Sequence, residues 1–149
     1  MGGVRRQKPQ RAQEDGARTF LSTSSLARPA VLYLAKNPAV WPQPLFANLF
    51  RQLAPDRPCS LPTYSRSTML RVTLLLAGFF VGVGHATGEK EENTIAANTP
   101  DLIAEPLDQR WLQRAQRSSS AEPLWEPMYR QSRLSPATGD KLLQHPQFR

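Results

Sequence analysis

An uncharged apolar run near the middle of the chain constrains its fold more than any other feature. The thirteen residues 72–84 contain no charged side chain and one hydroxyl, and the uncharged stretch of seventeen residues extends to Gly88. At about 1.5 Å per helical residue, these lengths correspond to about 20 Å and about 25 Å. A bilayer core is about 30 Å thick and needs roughly 20 residues. The run is therefore short for a permanent span, but it has the length of the apolar part of a secretory signal peptide.

The residues around the run complete a signal-peptide pattern. Arg71, just after Met69, supplies the positive charge that precedes such a run, and Gly84 and Ala86 are the small residues that favour cleavage after Ala86. Three explanations are open: translation from Met69, an uncleaved signal anchor, and a core helix buried in a folded domain. We expect a targeting or membrane segment at residues 69–88, because no other segment is apolar enough to surround an isolated apolar helix.

The distribution of charge supports this expectation. The net charge is +7, but residues 1–71 hold eleven Lys and Arg against three acids, whereas residues 72–149 hold eight against nine. All of the excess positive charge therefore precedes the apolar run. Such asymmetry is typical of membrane targeting, and for this reason we interpret the positive charge as directed to a membrane and not to nucleic acid.

The N-terminal arm has a second, competing interpretation. Residues 18–28 are rich in Arg, Ser and Leu and contain no acid, which is the composition of an organellar transit peptide. Glu14 and Asp15, just before them, weaken that match. A disordered polar arm is the other interpretation of this segment.

Outside the apolar run, the sequence predicts only short helices. The segment 44–55 begins with Pro44 and ends with Pro55. One apolar face at helical spacing is predicted in it, formed by Phe46, Leu49, Phe50 and Leu53. Two more helices are predicted near residues 105–117 and 139–145, the first with a narrow apolar stripe that includes Trp111. The 14 prolines interrupt the chain often, which leaves few stretches long enough for further helices or strands. Runs in which apolar and polar residues alternate, as they do in strands, are hard to find.

The predicted fold class is therefore mostly α with extensive disorder and no sheet: one short apolar helix resembling a signal anchor or signal peptide, plus short amphipathic helices. The predicted division of the chain is a basic disordered arm at 1–43, an amphipathic helix at 44–55, a linker at 56–68, the apolar targeting segment at 69–88 and a polar tail at 89–149.

No pattern of catalytic, cofactor-binding or metal-ligating residues stands out. Cys59 is the one cysteine, and together with His85 and His145 it is too few for a four-ligand zinc site. Gly78, Gly82 and Gly84 lie inside the apolar run and lack the Lys-Ser/Thr of a phosphate-binding loop. We therefore expect a protein that is not an enzyme and has no cofactor.

The expected function is that of a small exported or single-pass membrane-anchored protein that acts by binding or scaffolding. Its partners would be the membrane, through residues 70–88, and a protein, through residues 105–129. One alternative is a mitochondrial inner-membrane accessory or assembly factor with a cleaved transit peptide. The other alternative is an over-extended or non-functional reading frame.

Overall fold

The computed structural model describes residues 30–31, 41–84 and 93–149. Within these ranges, four strands form one sheet: β1 (Ala30–Val31), β2 (Cys59–Thr63), β3 (Phe80–Gly84) and β4 (Asn93–Ala97). The described helices are α1 (Gln43–Gln52), α2 (Thr68–Ala77), α3 (Gln109–Arg117) and α4 (Pro136–Gln144). The strand order is β1-β2-β4-β3, and β4 pairs antiparallel with both of its neighbours, while β1 pairs parallel with β2.

The apolar run is divided between a helix and a strand. Ser67 caps α2 by accepting a hydrogen bond from the backbone N–H of Leu70. Gly78 ends the helix with a φ of 112°, a left-handed conformation that glycine adopts without steric cost. The following residues, which include Val81 and Val83, are aromatic, β-branched or small, and they continue as β3.

The expected fold class is therefore wrong in two respects. The structure has a sheet, with β2 inside the segment expected to be a linker, and the apolar run is not one continuous helix. Helix α2 has ten residues, about 15 Å in length. Among the described residues, no helix is long and apolar enough to cross a membrane. Residues 85–88 of the expected targeting segment lie outside the described residues.

The apolar run is buried by protein. Val72, Leu74 and Leu75 on α2 are each at most 1% exposed. They belong to a core to which every other described helix and strand β2 contribute: Phe46 from α1, Leu61 from β2, Leu112 from α3 and Leu142 from α4. Single apolar side chains from dispersed segments thus surround the run, which is why a buried helix does not require a second long apolar segment.

Helix α3 begins later than residue 105 because Asp108 is its cap. The Asp108 carboxylate accepts a hydrogen bond from the backbone N–H of Trp111 at 2.9 Å. The residues before it pair with the outer edge of β3: the N–H of Val83 donates to Glu105 O at 2.9 Å, and the N–H of Leu107 donates to Val81 O at 3.0 Å. The expected helix start is therefore occupied by extended chain that covers β3.

Candidate functional site

The start of β4 carries two buried polar side chains beside the end of β3. Val83 pairs with Thr94, and Gly84 pairs with Asn93. Both β4 side chains are buried, and Thr94 has no exposed surface. These residues flank residues 85–92, which contain Gly88 and three glutamates and lie outside the described residues.

A buried arginine on α2 reaches this strand end. Arg71 is 5% exposed, and its Nε donates a hydrogen bond to Thr94 Oγ1 at 2.9 Å. Its Nη2 also donates to the backbone oxygen of Asn93 at 3.5 Å. Burying a guanidinium is costly unless its N–H groups are engaged. Arg71 thus holds the first two residues of β4 against α2.

The glycines of β3 have different surroundings. A Cβ on Gly82 would lie 2.4 Å from the backbone oxygen of Glu105, so this position has no room for a side chain. A Cβ on Gly84 would lie 3.4 Å from the Cβ of Asn93, which is close to ordinary contact. Gly82 therefore allows the chain at Glu105 to pack directly against β3, whereas Gly84 leaves backbone without a side chain at the end of the strand.

The C-terminal residues close the other end of β3. The side-chain amide of Gln147 accepts from the N–H of Val81 at 2.8 Å and donates to Val81 O at 2.7 Å, as a neighbouring strand would. His145 Nε2 lies 3.0 Å from Phe79 O, and the Phe148 ring stacks on Trp111. These contacts, together with those of Glu105 and Leu107, involve the part of β3 that precedes Gly84.

The protonation state of His145 follows from its partners. Its Nδ1 accepts a hydrogen bond from the backbone N–H of Gln147 at 3.1 Å, so Nε2 carries the proton and donates to Phe79 O. Burial lowers the pKa of His145, and the smaller, opposing effect of the Phe79 carbonyl does not reverse this shift. The folded state therefore favours the neutral imidazole.

This arrangement makes stability depend on pH. Because the pKa is lower in the folded state, the unfolded chain binds the proton first as the pH falls. The contribution of His145 should be complete above the unfolded pKa of about 6.5 and should be lost as the pH falls through the folded value. We expect the free energy of unfolding, measured by urea denaturation, to decrease between about pH 7 and pH 5, and to decrease less in His145→Gln. Equal pH slopes for the two proteins would contradict this assignment.

The residues that the sequence analysis singled out lie in separate parts of the structure. Cys59 is buried, and burial raises the pKa of its thiol, which disfavours the reactive thiolate. The described residues contain no cluster of His, Cys, Asp or Glu that could hold a metal ion. Trp111, from the region expected to bind a protein partner, belongs to the core together with Leu112 and Ala115. The sequence pattern interprets Arg71 as the positive charge before a signal peptide, whereas in the structure it binds Thr94. No local pattern links these two residues, which are 23 positions apart.

Comparison with known proteins points to an enzyme. Residues 34–99, less than half of the 149-residue chain, match the model of a family described as S-adenosyl-L-methionine-dependent methyltransferase. This segment contains α1, β2, α2, β3 and β4, and with them Arg71 and the glycines of β3. No curated protein and no solved structure gives a significant match.

The match corrects the expected function. Similarity to a methyltransferase family contradicts the expectation of a non-enzymatic protein, whether an exported or membrane-anchored scaffold or a mitochondrial assembly factor. The expected partners, a membrane through residues 70–88 and a protein through residues 105–129, are likewise contradicted, because the matched family is described by methyl transfer from S-adenosyl-L-methionine and no described helix is long and apolar enough to cross a membrane. The expected membrane location is contradicted by α2 itself, which is too short to cross a bilayer and is packed in the core. The chain is thus similar, over residues 34–99, to S-adenosyl-L-methionine-dependent methyltransferases.

Proposed function

We propose that this chain binds S-adenosyl-L-methionine and takes part in methyl transfer, with the cofactor at the carboxyl end of β3. The observation that carries the proposal is the methyltransferase family match over residues 34–99. When bound, this cofactor supplies an electrophilic methyl group on a sulfonium centre. The residues of the chain would bind and orient it.

The chemistry at the end of β3 fits such a ligand. Glycine backbone allows a ligand to approach closely, and Gly84 ends the strand without a side chain. In the sequence, Gly84 is followed within eight residues by Gly88, Glu89, Glu91 and Glu92. Carboxylates are the groups that accept hydrogen bonds from ribose hydroxyls in nucleotide-binding proteins.

Arg71 has a positioning role in this proposal. Its hydrogen bonds to Thr94 Oγ1 and to Asn93 O fix the first residues of β4, where the chain returns from residues 85–92.

The topology at this point differs from that of a dinucleotide-binding sheet. There, a glycine-rich turn leads from a strand into a helix whose N-terminus faces the phosphates. Here the next described element after β3 is β4, its antiparallel neighbour in the sheet. The described part of the proposed site therefore offers strand backbone in place of a helix N-terminus, which suits a cofactor that has no phosphate group.

Calorimetric titration of the full chain with S-adenosyl-L-methionine tests the proposal. We expect saturable binding to one site per chain. In Gly84→Ala, the added methyl group obstructs the bare backbone, and we expect affinity to fall by about tenfold, equivalent to about 1.4 kcal/mol.

Gly139→Ala is the matched control, because a Cβ at Gly139 in α4 would meet nothing within 4 Å. Its affinity should equal that of the unchanged chain. Absence of binding by the unchanged, folded chain would overturn the proposed function, and equal affinity in Gly84→Ala would overturn its location.

A further inference from the structure

A cavity lies inside the loop of residues 122–132, away from the proposed site at the end of β3. Its volume is about 340 Å³, within the range of small-molecule pockets of about 300–1,000 Å³. The lining includes Leu124, Trp125, Glu126, Met128 and Arg130. None of these residues belongs to the segment matched by the methyltransferase family, and none is part of the site at the end of β3.

Backbone hydrogen bonds hold the loop in place at three points. The N–H of Gln43, at the start of α1, donates to Leu124 O at 2.6 Å. The N–H groups of Ala121 and Glu122 both donate to Ser132 O, which closes the loop at its base. The cavity is therefore a formed feature of the fold.

The carboxylate of Glu122 forms part of the scaffold of the loop. It accepts hydrogen bonds from Ser135 N–H at 2.9 Å, from Ser135 Oγ at 3.1 Å and from Thr138 Oγ1 at 2.8 Å. It also accepts one from the indole N–H of Trp125 at 3.1 Å. With four donors around it, Glu122 has little capacity left for a ligand, but it orients the Trp125 ring.

Trp125 and Met128 provide apolar surface at the cavity. The Trp125 side chain is 44% exposed, and the ammonium of Lys141 lies 5.9 Å from its ring centroid. Met128 is 65% exposed. An aromatic ring held in one orientation and a flexible thioether together suit an apolar group of variable shape.

Two side chains of opposite charge line the same cavity. Glu126 and Arg130 are both exposed, and their side chains make no hydrogen bond or ion pair with any residue of the described ranges. A carboxylate and a guanidinium, both available beside apolar surface, complement a ligand that carries both charges at one end and an apolar group at the other. Guanidinium binds carboxylate through two parallel hydrogen bonds, and carboxylate binds ammonium.

We propose that this cavity binds an α-amino acid with an apolar side chain. Arg130 pairs with the α-carboxylate, Glu126 pairs with the α-ammonium, and the side chain lies against Trp125 and Met128. The ligand is a free amino acid, because S-adenosyl-L-methionine is assigned to the end of β3. The proposal does not depend on the proposed function.

Tryptophan fluorescence of the full chain, titrated with L-methionine and L-phenylalanine, tests this assignment. We expect a saturable change that disappears in Trp125→Phe, because Trp41 and Trp111 lie outside the cavity. N-acetyl-methionine and methionine amide, each lacking one charge, should bind more weakly by about tenfold or more. In a parallel titration, S-adenosyl-L-methionine should not compete with L-methionine, and competition between the two would overturn the assignment of this cavity to a free amino acid.

The charged pair is tested with Arg130→Gln and Glu126→Gln, measured by calorimetry so that the readout does not depend on Trp125. Each should weaken L-methionine binding by about tenfold. Arg133→Gln, on an exposed residue that does not line the cavity, is the control and should bind as the unchanged chain does. No saturation at about 10 mM amino acid, or an equal loss in Arg130→Gln and Arg133→Gln, would overturn the proposal. The variants differ from Gly84→Ala, so failure here is distinguishable from failure of the methyltransferase proposal.

Discussion

Replacing Leu75 by Arg is expected to unfold the protein. Leu75 is 1% exposed on α2, within the core formed with α1, β2, α3 and α4. An arginine there would bury an unpaired charge and would not fit the space of a leucine, and such substitutions cost about 4 kcal/mol or more. A domain of this size has a total stability of about 5–15 kcal/mol. Urea denaturation followed by circular dichroism should show a greatly lowered midpoint or no native baseline.

Leu143→Arg is the matched control for this substitution. Leu143 lies on α4 and is 51% exposed, so its side chain can remain in water as arginine. Its free energy of unfolding should change by no more than about 0.5 kcal/mol. A native spectrum and an unchanged midpoint for Leu75→Arg would show that the apolar run does not form the core.

Replacing Gly82 by Ala should displace the chain that covers β3. A Cβ at this position would lie 2.4 Å from the backbone oxygen of Glu105 and 2.4 Å from Cγ2 of Ile103. No side-chain rotation removes a clash with a backbone oxygen, so residues 105–107 must move from the strand edge. We expect destabilisation of about 1–3 kcal/mol, measured by thermal or urea unfolding. The amides of Val83 and Leu107, which bond across this edge, should also exchange faster with solvent.

Gly139→Ala again provides the comparison, because it makes the same chemical change at an open helical position. Alanine is favoured over glycine in a helix by about 1 kcal/mol, so this variant should be equally or more stable. Equal stability of Gly82→Ala and the unchanged chain, with unchanged exchange at Val83 and Leu107, would contradict the described packing against β3.

Local sequence patterns predict part of the helical structure. The apolar spacing of Phe46, Leu49, Phe50 and Leu53 lies within or directly after α1, which begins with Pro44 in its first turn. Asp108, which caps α3, belongs to the residue types that are favoured at helix starts. Apolar spacing and helix caps involve residues only a few positions apart, and for this reason they can be recognised in the sequence.

The sheet and the candidate site depend on residues that are distant in sequence. β2 pairs with β4 across more than 30 residues, and its middle residue Leu61 faces Ala96. Arg71 reaches Thr94, the neighbour of the Asn93 that pairs with Gly84, because α2 packs beside the β3–β4 pair. Each of these residues has an ordinary local context, so no pattern in the sequence identifies them as a group.

Residues 72–84 must leave water, because they combine high hydrophobicity with no charge, and this follows from their composition alone. Which apolar groups replace that water depends on the folded chain. Phe46, Leu61, Leu112 and Leu142 come from four separate elements and together surround α2, although none belongs to a long apolar segment. The hydrophobic effect is not directional and does not distinguish lipid from protein as the apolar environment. That choice depends on whether scattered side chains converge, which only the folded chain shows.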